Sequence, residues 1–237
     1  QARLIGAFLD ALGVKRAVVK GHSFGASVAA ALAVERPDLV SGVLLSAPAT
    51  HPWPSGRTNW YNHFARVPVL GWMFTRTLTL PAGLMQLEPA TACVFSPNPM
   101  PADYLAETGI ALVLTPRRFF DNSIDVTNLH AHVSAYAPRY REISAPVIII
   151  TGDGDGVVSP WIHAVPFSRT VPGARLFMVP NVGHKPDHAL SELSAAALKH
   201  LSGEQQDLDA LAAKAARERA GDRAGTGCPP PFKPVPA

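Results

Sequence analysis

With 237 residues, 47 % of them apolar, the chain can bury a sizeable core, as one domain with an insertion or as two small domains. Its formal net charge is only +3, from 21 basic and 18 acidic residues, and no Lys/Arg run or basic stripe interleaved with aromatics occurs, so nucleic acid is not an expected partner. Cys93 and Cys228 match neither a disulfide framework nor a metal-ligand spacing, and the nine histidines form no HExxH pattern, so neither metal nor redox chemistry is expected.

The chain opens on Gln1 directly in a helical pattern, with no charged and apolar regions of a signal peptide, so a continuation upstream is expected. Leu4, Ile5, Phe8, Leu9 and Leu12 recur at helical spacing and Gly13 stands where a cap would stop them, which predicts an amphipathic helix over 2–12. After Lys15 and Arg16 the short apolar run 17–19, bounded by Gly21, predicts a buried parallel strand. Small apolar residues over 26–34 predict a helix that ends before Pro37, because proline disfavours helical backbone in the residue preceding it. The runs 43–45, 147–150 and 176–179 predict three further strands. Strand and helix alternate, so a parallel α/β sheet is the economical fold.

Residues 51–140 break this rhythm: they are rich in proline and hold 12 of the chain's 18 aromatic residues. An inserted helical cap is expected, with Trp53, Trp60, Tyr61, Phe64, Trp72, Phe74, Phe119 and Phe120 either forming its own small core or facing a ligand. The apolar run 67–74 is too short to span a bilayer; membrane contact is conceivable, but burial in the cap core is the expected fate. Beyond Gly203 an Ala-rich, charged helical stretch reaches about Arg219. The Pro/Gly-rich end that follows is expected to lack the apolar surface needed to order itself.

Gly21-His22-Ser23-Phe24-Gly25 is a GxSxG sequence between a strand and a helix, the setting of a nucleophile elbow, where the turn is expected to exclude side chains at both glycines. A serine hydroxyl needs a base to take its proton, and the base needs a third group to fix its tautomer. Asp155, in the glycine-rich turn after the strand 147–150, and His184, after the strand 176–179, both fall at carboxyl ends of strands, where catalytic groups gather in open parallel sheets. Asp153 competes with Asp155 for the acid, and His188, expected to enter the next helix, with His184 for the base.

On these residues the chain resembles the α/β-hydrolase fold family, over positions 1–202. Three pieces carry the likeness: Gly21 to Gly25, the strand and GxxDxxV turn over 146–158, and Gly183-His184. The chain order Ser, Asp, His also agrees. The resemblance implies Ser23 as nucleophile, His184 as general base and then acid, Asp155 as orienting carboxylate, and the backbone N–H of Phe24 as an oxyanion donor. His22 is then expected to pack or hydrogen-bond beside the site, and Ser27 to be structural. A serine, where the fold's haloalkane dehalogenases and epoxide hydrolases carry aspartate, points to cofactor-free hydrolysis of a small apolar carboxylic ester through an acyl-enzyme. Thioesterases, carbon–carbon bond hydrolases, haloperoxidases and a non-catalytic ligand-binding protein remain alternatives.

The family's sheet has eight strands in the order 1-2-4-3-5-6-7-8, and the four legible here correspond to five to eight. The expected fold is therefore the C-terminal half of an α/β-hydrolase parallel sheet with flanking helices and a helical cap insertion. Its core would be 1–50 and 141–202, its cap 51–140, and 203–237 a helical then Pro-rich tail. The strand at 17–20 would then stand as an edge, and the loop after strand three, which supplies a second oxyanion N–H, would lie outside this chain. Lys20, where the family usually has an apolar residue, must reach solvent or a carboxylate. The oligomeric state is not legible.

Overall fold

The computed structural model describes residues 1–223 and 228–233. Helix α1 (Ala2–Ala11) leads to strand β1 (Ala17–His22), helix α2 (Phe24–Glu35) and strand β2 (Val40–Ser46). Five helices follow before the chain returns to the sheet: α3 (Trp60–Ala65), α4 (Leu70–Thr77), α5 (Thr79–Phe95), α6 (Tyr104–Thr108) and α7 (Pro116–Tyr136). Strand β3 (Val147–Gly152), α8 (Ala164–Thr170) and β4 (Arg175–Val179) complete the sheet, and α9 (Pro186–Ala189), α10 (Ser191–Leu201) and α11 (Leu208–Arg219) close the described helices.

The four strands are all parallel, in the order β1-β2-β3-β4, with Val19 opposite Val43, Leu45 opposite Ile149, and Ile149 opposite Leu176. Every residue of β3 is buried, which explains its uninterrupted apolar run over 147–150: helices cover both faces, so no position alternates towards water. On one face lie α2, Tyr140 and Phe167, and on the other α10 and α11, whose Leu193 and Leu208 are nearly inaccessible. Helix α2 is buried from Ala26 to Val34 and has no polar face. A helix surrounded in this way needs small side chains if its neighbours are to approach, and alanine supplies them without loss of helix propensity.

β1 pairs with β2 alone, and its Ala17, Val18 and Val19 are only partly buried. Lys20 is exposed on this edge, which removes the desolvation problem its position raised.

Two expectations are corrected by the packing. The run 67–74 is not buried: Val69, Leu70, Trp72 and Met73 are each at least half exposed. Helix α4 turns Gly71 and Thr75, one turn apart, inwards, so its large side chains are left on the outside. The two cysteines, given no pairing from the sequence, form a disulfide across 135 residues of separation. A lone pair so far apart carries no spacing signal, and only the fold brings α5 and the chain end together.

The expectation for the Pro-rich end falls partly on residues 224–227 and 234–237, which lie outside the described residues. The described part is held in place: Cys228 is tied to Cys93, and Trp161 Nε1 donates to the Phe232 carbonyl at 3.1 Å. Because the cross-link closes a long loop of the unfolded chain, Cys228→Ser is expected to lower the unfolding free energy by about 2–4 kcal/mol. Urea denaturation of the oxidised protein beside the variant measures this, and indistinguishable midpoints would show that the link does not constrain the unfolded state.

Candidate active site

β1 runs three residues further than its apolar run 17–19, because Lys20, Gly21 and His22 continue the pairing with Leu44, Leu45 and Ser46. α2 begins at Phe24, so the whole reversal falls on Ser23, whose φ of 53° and ψ of −119° place it in a region costly for any residue with a Cβ. Three backbone hydrogen bonds hold it there. The Ser23 N–H donates to the Ser46 carbonyl at 2.9 Å, and the Ser23 carbonyl accepts from Ala26 at 3.0 Å and Ala49 at 3.2 Å. The turn is so tight that a Cβ on Gly21 would collide with the backbone of Gly25 and Ala26. Gly25 differs from expectation: a Cβ there meets nothing within 4 Å, so its lack of a side chain is not enforced by this chain's own packing.

Ser23 Oγ lies 2.9 Å from His184 Nε2, and His184 Nδ1 lies 2.8 Å from Asp155 Oδ2. Asp155 is fully inaccessible, and its other oxygen accepts the N–H groups of Val157 at 2.7 Å and Val158 at 2.8 Å. With the carboxylate accepting from Nδ1–H, the lone pair of the imidazole is left on Nε2, facing the serine hydroxyl. The competing assignments separate in space. Asp153 accepts from the Asn181 N–H at 2.8 Å, and His188, in α9, packs its ring against Phe95 and Tyr104. Phe24, the first residue of α2, has no intrahelical acceptor for its N–H, which leaves that donor free beside Ser23.

His22 donates from Nε2 to the His184 carbonyl at 2.7 Å, and Ser27 Oγ donates to the Phe24 carbonyl at 2.7 Å. Burial, reinforced by the neighbouring His184, pushes His22 down to about 4, so it is neutral at physiological pH.

Other groups at the site carry no local sequence signal. Asn98, buried in the loop after α5, accepts the Gly183 N–H at 3.0 Å and donates to the Asn181 carbonyl at 2.8 Å, which clamps the loop bearing His184. Past β2, the Thr50 hydroxyl donates to the His163 carbonyl, the His51 N–H donates to His163 Nδ1 at 3.1 Å, and Tyr140 Oη donates to the Thr50 carbonyl. Burial drives His51 and His163 each down to about 4. The Phe232 N–H approaches the Asp155 carbonyl at 3.4 Å, which brings the chain end against the acid loop. Among the described residues no three His, Cys, Asp or Glu side chains gather as a metal-binding group.

A model of the α/β hydrolase family matches residues 1–197. The chain belongs to the α/β hydrolase family. Among curated proteins it is similar to haloalkane dehalogenase 2 of Mycobacterium tuberculosis, at 29 % identity over 77 % of this chain and 63 % of that protein. It is also similar to the 2-hydroxy-6-oxononadienedioate/2-hydroxy-6-oxononatrienedioate hydrolase of Burkholderia vietnamiensis, at 26 % identity over 77 % and 61 %. The chain thus spans about three fifths of the length of these relatives. Two solved structures show the same fold. An α/β hydrolase enzyme from a Medee basin deep-sea metagenome library has a TM-score of 0.62 at 20 % identity, covering 87 % of this chain and 72 % of that one. An esterase from Exiguobacterium antarcticum has a TM-score of 0.63 at 15 % identity, covering 85 % and 72 %.

Two measurements probe this geometry. Asn98→Ala strands the buried Gly183 N–H, which costs about 1–3 kcal/mol of stability, and Asn98→Asp, which keeps an acceptor but turns a buried carboxylate towards the Asn181 carbonyl and Asp222 Oδ2, the two groups that the amide donates to at 2.8 Å, is expected to lose more; thermal unfolding of the two variants ranks them. For the histidines, folded values near 4 against about 6.5 unfolded mean that the unfolded state binds more protons between those limits. Stability is therefore flat above about pH 7 and falls as pH drops towards 4, His163 alone contributing about 2 kcal/mol of loss by about pH 5. Urea midpoints across that range, with His163→Gln as comparison, test the sign, and a midpoint that rises on acidification would contradict it.

Proposed function

We propose that Ser23, His184 and Asp155 form the nucleophile, general base and orienting carboxylate of a serine hydrolase that cleaves a small apolar carboxylic ester. The observation that carries the reading is the continuous chain of short contacts from Asp155 through His184 to Ser23, with the serine presented on a strained turn at the carboxyl end of the sheet. In the reaction, His184 Nε2 takes the proton as Ser23 Oγ attacks the carbonyl carbon, and then returns it to the leaving alcohol as the tetrahedral adduct collapses to an acyl-enzyme. Water, activated by the same nitrogen, adds to the acyl carbon, and Ser23 leaves with a proton from His184, which releases the acid. Asp155 stays ionised throughout and stabilises the imidazolium, its own charge met by the Val157 and Val158 N–H groups. The Phe24 N–H is one donor to the oxyanion, and removal of such a donor typically costs about a hundred- to a thousandfold in rate.

A hydroxyl nucleophile, rather than a carboxylate, supports acyl transfer over the halide displacement named for the mycobacterial relative. Half-buried aromatics between β2 and β3, such as Tyr61 and Phe74, each against Phe119, support an apolar substrate. Carbon–carbon bond cleavage, named for the Burkholderia relative, can use the same three residues and is the second reading.

A fluorophosphonate probe applied to the polypeptide as its gene encodes it tests the first step. Labelling at Ser23 that disappears in Ser23→Ala is expected, and absence of labelling at Ser23 would defeat the proposal. Asp155→Asn should keep the fold but present the wrong imidazole tautomer, lowering turnover of a p-nitrophenyl ester by about 10⁴-fold. Esters of increasing acyl length should be preferred over acetate. Hydrolysis of 2-hydroxy-6-oxo-dienoates, with no turnover of any ester, would favour the second reading.

A further inference from the structure

The helices between β2 and β3 leave an apolar surface in water that the reaction does not require. Trp60 on α3, Val69 at the start of α4, Leu70, Trp72 and Met73 on α4, and Met85 on α5 are between 50 and 78 % exposed. Helices α3, α4 and α5 pack side by side in chain order, and Trp60 and Phe64 meet Phe74 from the neighbouring helix, at ring separations of 6.2 and 5.2 Å. The exposed groups therefore belong to one layer and are not scattered singly, the condition under which exposed apolar surface signals a binding face.

On α3 and α4 the charge has one sign, and the one acid of the layer is Glu88, exposed on α5. No aspartate or glutamate occurs between Asp38 and Glu88, while Arg57, Arg66 and Arg76 fall in that stretch and are exposed. None of the three has a carboxylate partner among the described residues. The Arg66 side chain donates to the Thr127 hydroxyl, and the Arg76 guanidinium lies 4.4 Å over the Trp72 ring. Other surface arginines are ion-paired, as with Arg36 between Asp10 and Asp38, or Arg139 between Glu35 and Glu142, while Arg16, Arg118 and Arg169 have no carboxylate partner among the described residues either. Tryptophan, methionine and leucine with flanking arginines, as on α4, are what a helical face needs in order to lie at a lipid headgroup boundary. The apolar side chains enter the acyl region, and guanidiniums on long stems reach the phosphates. No described helix is long and apolar enough to cross a membrane, so the geometry is that of a face lying on a bilayer.

We propose that the α3–α5 face docks on an anionic phospholipid surface. A second copy of this chain is a poorer fit for the same face, because closing it on itself brings unpaired arginines of like sign together. Docking also orients the molecule. The helices leave the sheet from the carboxyl end of β2, the end at which Ser23, Asp155 and His184 stand, so this edge would face the lipid. The docking claim is read by binding alone and stands or falls separately from the hydrolase proposal.

The test is flotation of the polypeptide, as its gene encodes it, with vesicles of phosphatidylcholine alone or with added phosphatidylglycerol, together with sedimentation velocity of the lipid-free protein. Binding is expected only with phosphatidylglycerol and should weaken as salt is raised. Arg57→Gln/Arg66→Gln/Arg76→Gln should weaken it by roughly a hundredfold, at about fivefold per basic residue, and Trp72→Ser/Met73→Ser by more than about tenfold. Phe8→Ser, at an exposed apolar position on α1, should bind as the parent does, and circular dichroism should find all variants folded. No flotation with either vesicle would overturn the proposal, as would equal binding to neutral vesicles or unchanged binding by Trp72→Ser/Met73→Ser. A dimer that the same double substitution dissociates would assign the face to self-association and overturn it equally.

Discussion

The backbone of Ser23 is the point on which the carboxyl edge of the sheet depends, since one residue there ends a strand, starts a helix and aims a hydroxyl. Its positive φ is unfavourable by an amount of order 1–3 kcal/mol, and the surroundings must over-determine it. They do so through β2: the Ser46 carbonyl takes the serine N–H, and Ala49 returns a hydrogen bond to the serine carbonyl. The same β2 pairs with β3, whose end delivers the turn of Asp155. Serine and acid are thereby placed by one register. His184 completes the set from the far side of β4, and its loop is pinned by Asn98 from the segment between β2 and β3 and by His22 from β1.

This arrangement explains why so much buried polarity surrounds the edge without disorder. Asp155 meets three N–H groups, and the backbone around Thr50, His51 and His163 is satisfied by side chains instead of by ladder partners. Burying such groups is tolerable only where each finds a partner. Neutral His22, His51 and His163 serve as donors and acceptors that bring no net charge next to the carboxylate.

The strands were legible because a sheet covered on both faces demands continuous apolar runs, and β3 reads as Val-Ile-Ile-Ile for that reason. The three site positions were legible because each stands just past such a run, beside glycines. Less accessible was whatever depends on chain segments meeting at a distance. Cys93 and Cys228 look unrelated in sequence, and Asn98 is one polar residue among prolines. The run around Trp72 reads as core because apolar content records only what a side chain prefers; which residues a helix turns inwards is decided by the neighbour, here the backbone of Phe64 and Ala65 in α3, with which a Cβ on Gly71 would collide. Gly25 is the converse, a glycine that the motif demands and this chain's packing does not.

The disulfide divides the chain into a closed ring and an open arm. Asp155 and His184 lie on the ring that runs from Cys93 to Cys228, and Ser23 lies on the arm. A protease cut at any one bond of the exposed loops between α5 and α7 therefore opens the ring without releasing a piece. Asp155 and His184 would stay covalently attached to the half that carries Ser23, and only reduction would turn such a nick into separate polypeptides.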